Sequence, residues 1–131
     1  MSVKVTSLSV GSLIREILAE DEDVRSITER VFPVVTDKAD LPYVFYRVSS
    51  FEHDPTKGMQ GADVVGVEVV CCAETYAECV NLAEAVRGAL DYQAWENDEG
   101  TLRLRSCNLT GYDQQWADDA HIGTLTFTLR V

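Results

Sequence analysis

The sequence is short of positive charge. Eleven Lys and Arg stand against 22 Asp and Glu, so the formal net charge is −11 over 131 residues. Affinity for a phosphate backbone comes from neutralising it with Lys and Arg. A tight binder of DNA or of an anionic membrane is therefore not expected. Long apolar runs are also missing. None approaches the roughly 20 residues a membrane helix needs. The N-terminal "MSVKVTSLSVGSLIREI" has no uninterrupted apolar core of signal-peptide length. The expectation is a soluble protein that stays where it is made. No linker rich in Pro, Gly or Ser divides the chain, and no repeat is visible. With 46% apolar and 25% charged residues, the composition is that of an ordinary globular chain. The length suits one domain over residues 1–131.

Cysteine is present but not in a metal-binding pattern. Three of the four lie in "VVCCAETYAEC", Val69 to Cys79. Structural zinc sites bring cysteines in pairs two to four residues apart. Cys71 and Cys72 are adjacent, so on a strand they point to opposite faces. Cys107 is far along the chain, and neither histidine is near. Buried packing is the expected role, with no metal, no cofactor and no disulfide framework. No G-x-G-x-x-G or P-loop occurs. "GMQG" (Gly58 to Gly61) sits between strand-like segments with only Lys57 basic nearby, and reads as a loop tip.

Leu13, Ile14, Ile17 and Leu18 recur at helical spacing and predict a helix over about Val10 to Ala19. Asp23 is expected to cap a short second helix in "VRSITERV", which Pro33 ends. "YVFYRVSSF" reads as a strand, with Val44, Tyr46 and Val48 on one face and Tyr43, Phe45 and Arg47 on the other. "VVGVEVVCCA" is a second strand, its Val65, Val67, Val69 and Cys71 toward the core. Thr75 to Glu78, "TYAE", is a capping box opening a helix to about Leu90. Its core stripe is expected at Tyr76, Val80, Ala83, Val86 and Leu90. "TLRLRSCNLTGY" alternates, and "HIGTLTFTLRV" ends the chain with Leu125, Phe127 and Leu129 facing inward. The predicted class is α+β: an antiparallel sheet of about four main strands with two helices packed on one face.

Several polar groups invite chemistry. His53 and Asp54, with Asp119 and His121, could serve a metal-dependent hydrolase. Exposed loop polarity explains them more simply. Arg47, Arg103 and Arg105 could gather on the open sheet face. Cross-strand pairing with acids such as Glu68 is the preferred reading. The long loop from Glu52 to Asp63, just after Phe51, carries His53, Asp54, Lys57 and Met59, and loops of that length are often functional. Trp95, in an acidic turn, and Trp116, before the last strand, either pack over a core edge or anchor a partner.

The order of these pieces resembles a known family. An apolar first helix leads to "DVRSITERVFP" and "LPYVFYRVSS". A strand then runs directly into "CCAETYAECVNLAEAVRGAL", and an alternating strand closes the chain. This is similar to the tail-completion, or tail-terminator, proteins of long-tailed bacteriophages and prophages, from about Leu13 to Val131. The resemblance implies an α+β fold, no catalysis and no cofactor. It implies a ring, generally hexameric, that caps the head-proximal end of the tail tube, ends tube growth and joins the tail to the head connector. The implied partners are further copies of the chain, the tube protein and the connector, and DNA would pass an acidic ring without specific binding. The implied location is the host cytoplasm during assembly and then the virion tail. Interface candidates are Phe51, His53, Asp54, Lys57, Met59, Trp95 and Trp116. A non-catalytic α+β binding or regulatory module that dimerises through its sheet is the alternative.

Overall fold

The computed structural model describes residues 6–33, 40–54, 62–96 and 102–131. A short 3-10 turn, Ser7–Ser9, leads into α1 (Val10–Glu20), α2 (Glu22–Ile27) and the three-residue strand β1 (Val31–Pro33). Then come β2 (Tyr43–Asp54), β3 (Ala62–Ala73), α3 (Tyr76–Leu90) and the short β4 (Trp95–Glu96) and β5 (Arg103–Leu104). The chain closes with β6 (Ser106–Ala117) and β7 (Ala120–Arg130).

The main sheet has five strands in the order β1-β2-β3-β7-β6. Four of them, β2, β3, β7 and β6, pair antiparallel, which matches the expected number and sense. The expectation falls short in three places. β1 adds a fifth strand, parallel to β2, so the sheet is mixed. β4 and β5 form a separate two-stranded sheet, and the short helix, expected apart from the packed pair, packs against both as α2. "VFP" was invisible as a strand because three residues ending in a proline carry no alternation to read.

α1 and α3 bury the sheet face carrying Val65, Val67, Val69, Cys71, Leu125, Phe127 and Leu129, and α2 packs against both helices. In α1 the expected stripe of Leu13, Ile14, Ile17 and Leu18 is buried. α1 packs on β2 at Gly11, where a Cβ would meet the Tyr46 ring at 3.4 Å, an ordinary van der Waals contact. The cap of α2 is Asp21, not Asp23: its carboxylate accepts the amides of Asp23 and Val24, each at 3.0 Å. Thr75 caps α3 as expected, accepting the amide of Glu78 at 3.2 Å. The stripe of α3 is rotated from the expected one. Cys79, Leu82 and Ala89 are buried beside Ala83, Val86 and Leu90, whereas Tyr76 is 57% exposed and Val80 is half-buried. In this helix two overlapping stripes satisfy the same three-and-four spacing.

Two hairpins extend the sheet at opposite ends. β2 and β3 run farther into the expected loop than predicted, to Asp54 and from Ala62. Trp116, before the last strand as expected, lies inside β6 and pairs with His121. Asp118 and Asp119 have φ of 53° and 61°. Two consecutive positive φ values are the signature of a type I′ turn, whose twist matches a tight hairpin.

Candidate functional site

The polar groups separate rather than gather. His53 sits opposite Asp63 and bonds its carboxylate, which also accepts the Ser7 hydroxyl. These two bonds, Ser7 first, hold the Asp63 carboxyl below the usual range. His121 lies at the other end of β3, opposite Ala73, with its ring 6.0 Å from that of Tyr76, edge to face. Asp63 and Ala73 are separated by about 33 Å of strand at roughly 3.3 Å per residue. The hydrolase set of His53, Asp54, Asp119 and His121 is therefore not brought together. Among the described residues no group of three or more His, Cys, Asp or Glu could hold a metal ion.

The arginines also disperse. Arg47 bonds Glu68 at 2.6 Å across β2 and β3, the pairing preferred from sequence. Arg103 and Arg105 line a different groove, with Thr6, Ser7 and Asp63. All four cysteines are buried and free. Burial, then the field of Cys79 and Cys72, pushes the Cys71 thiol well up; burial and Asp91 push Cys107 up to about 12. Neither is poised for nucleophilic or redox work.

What the surface offers instead is exposed apolar area. At the β6–β7 tip, Tyr112, Gln114 and Trp116 share the helix-side face, because alternate strand residues do. Residues 112–116 are all exposed, Trp116 by 62%. The cluster is held in place. Tyr76 Oη donates to Gln114 Oε1 at 3.4 Å, and Gln114 Nε2 donates to Tyr112 Oη at 2.9 Å. Tyr112 lies over Gly123, where a Cβ would meet its Oη at 3.2 Å. Phe51, 43% exposed, stands near the other hairpin, and Val48, on the face of Val44 and Tyr46, is 39% exposed where the register shifts between Val48 and Ser50. On the open sheet face Phe32, Tyr43 and Phe45 form a half-buried row with neighbouring ring centroids 6.4 Å apart. Burial and a hydrogen bond with Cys72 push the Tyr43 phenol up to about 12.

Trp95 packs against the core from β4, and its indole N–H is buried without a hydrogen-bond partner. Lys57 and Met59 lie outside the described residues, as does "GMQG". Sequence reasoning missed Leu8 (69% exposed), which carries no pattern signal, Tyr76, expected in the core stripe of its helix, and Tyr112, which lies in an alternating segment.

A small sheet-built domain with apolar projections and no assembled reaction centre among its described residues is the class of protein these features define. The family model for tail completion protein gp17 matches residues 12–131. The chain belongs to that family and is a structural protein of phage tails. Its fold is similar to that of a chain in the virion of a native gene transfer agent particle, with a TM-score of 0.76 at 15% identity, covering 97% of this chain and 98% of that one. No curated protein matches the sequence.

Proposed function

We propose that this chain is the subunit of a ring, generally hexameric, that caps the head-proximal end of a phage tail tube, ends tube polymerisation and joins the tail to the head connector. The observation that carries the reading is family membership over nearly the whole chain. Exposed apolar side chains at both ends of the sheet support it, since a subunit meeting several neighbours needs more than one contact surface. Phe51, His53, Asp54, Lys57, Met59, Trp95 and Trp116 remain the interface candidates. The role is non-catalytic, and the dispersal of the histidines supports that. A net charge of −11 fits a passage that DNA crosses without binding. The protein would act in the host cytoplasm during assembly and remain in the virion tail.

The test is deletion of the gene in its phage, followed by negative-stain microscopy of the lysate. Overlong tubes and headless tails beside DNA-filled heads are expected. Normal infectious particles would refute the role. The half-buried row of Phe32, Tyr43 and Phe45 favours one second reading, a module that dimerises through its open sheet face. A salt-resistant dimer lost in Phe45→Ser would support that instead.

A further inference from the structure

The two outer edges of the sheet are complementary. At the β6 edge the hairpin tip presents Tyr112 and Trp116 on its helix side, and Asp118 and Asp119 form its turn. No Lys or Arg occurs between Ser106 and Leu129. At the opposite edge β1 pairs with Val44 to Tyr46 of β2. There, beneath α1, lies a groove of about 450 Å³ lined by Leu8, Gly11, Arg15, Pro33, Tyr46 and Val48. Among the described residues its charged lining is Arg15 and Arg47, with no carboxylate. Arg15 has no ion-pair partner among the described residues. The other described grooves each contain a carboxylate: Glu84, Asp63, or Glu20 with Asp21.

From this pairing we infer that the β6–β7 tip of one copy seats in the Arg15 groove of the next, with Trp116 as the apolar knob and the turn aspartates facing Arg15. Charge selects a second copy as the occupant. Two chains of net charge −11 repel over most of their surface, so they associate where an acidic feature meets a basic one. Both features lie on the helix side of the sheet, at opposite edges. A contact between different patches on identical subunits is heterologous and propagates head to tail, closing into a ring when the rotation allows. A groove of that volume accommodates an indole, and a buried aromatic beside an arginine is the usual composition of an interface anchor. This contact deepens the ring reading by naming the surfaces through which subunits meet.

Sedimentation of the purified chain tests it. At low salt the wild type should form species beyond the dimer as concentration rises to about 0.5 mM, and should dissociate near 0.5 M NaCl, where charges are screened beyond about 4 Å. Trp116→Ala and Arg15→Glu should each weaken association by about tenfold or more. Asp118→Asn with Asp119→Gly should also weaken it, although that pair favours the type I′ turn, so a melted hairpin would not be the cause. Mixing Trp116→Ala with Arg15→Glu should give a heterodimer and nothing larger, because only one tip and one groove remain intact. A wild type that stays monomeric at low salt, variants that associate like wild type, or mixtures that grow past the dimer would each overturn the contact. A monomeric wild type together with overlong tubes in the deletion lysate would remove this contact and leave the tail-cap role standing. Tip-dependent oligomers with normal deletion particles would do the reverse.

Discussion

Asp91 accepts the backbone amide of Leu109 at 2.9 Å while its other oxygen accepts Arg87 Nε at 3.2 Å. One carboxylate at the C-terminus of α3 thus ties the helix to strand β6. The neighbouring Tyr92 amide adds a second tie, donating to the Cys107 carbonyl at 2.7 Å. The two partners of Asp91 differ in environment. The Leu109 amide is partly buried, whereas the Arg87 side chain is 52% exposed. Asp91→Ala should destabilise by about 1–3 kcal/mol, the cost of a buried amide without an acceptor. Arg87→Ala should cost only about 0–1 kcal/mol, as for an exposed pair. Urea denaturation of both variants separates the two effects, and equal losses would contradict the assignment.

Asp63 predicts acid sensitivity. Its folded-state ionisation lies below its unfolded value because the Ser7 hydroxyl and His53 bond the carboxylate. Its contribution is therefore fully present above the unfolded carboxylate range and is lost as pH falls toward the folded value. Wild type should lose more stability between about pH 6 and pH 3 than Ser7→Ala does, because that variant's Asp63 is shifted less. Parallel acid-denaturation curves for the two proteins would contradict this.

The thiols should be silent in the native state. Each of the four cysteines is buried, and burial raises the pKa of each thiol, which keeps it protonated. At about pH 8 a chromogenic thiol reagent should label the folded chain only as fast as it opens, because the thiolate is the reactive form. In denaturant all four should react at once. Rapid native labelling of Cys79 would show that α3 opens locally at its first turns.

Trp95 offers a cleaner mutational contrast. Its ring packs on the core, but its N–H has no partner. Trp95→Phe keeps most of the ring and removes the stranded donor, so stability should stay within about 1 kcal/mol of wild type or rise. Trp95→Ala removes the packing and should cost about 2 kcal/mol or more. A large loss in the Phe variant would mean that the indole N–H has an acceptor.

Much of the layer structure was legible because alternation and helical spacing act over short windows. Val65 to Cys71 and Leu125 to Leu129 point inward as their patterns require, and Arg47 meets Glu68 as cross-strand pairing requires. What sequence could not reveal depends on which surface meets which. β1 forms only because β2 is beside it. Trp95 and Leu104 pair across 9 positions to make a second sheet. Tyr76 resembles a core residue at its spacing, yet its turn of α3 lies beside the exposed hairpin face rather than over the core. The groove at Arg15 assembles residues from the first turn, α1, β1 and β2, and no local window contains it.

The base of the β6–β7 hairpin and its tip do different jobs. Cys107, Leu125, Phe127 and Leu129 belong to the core, whereas residues 112–116 are all exposed. Folding therefore constrains one half of the hairpin, whereas only contacts outside the chain constrain the other. Across descendants of this chain the base should stay constant while the tip changes together with the groove that receives it, and grafting a foreign tip onto this base should yield a folded protein with altered companions.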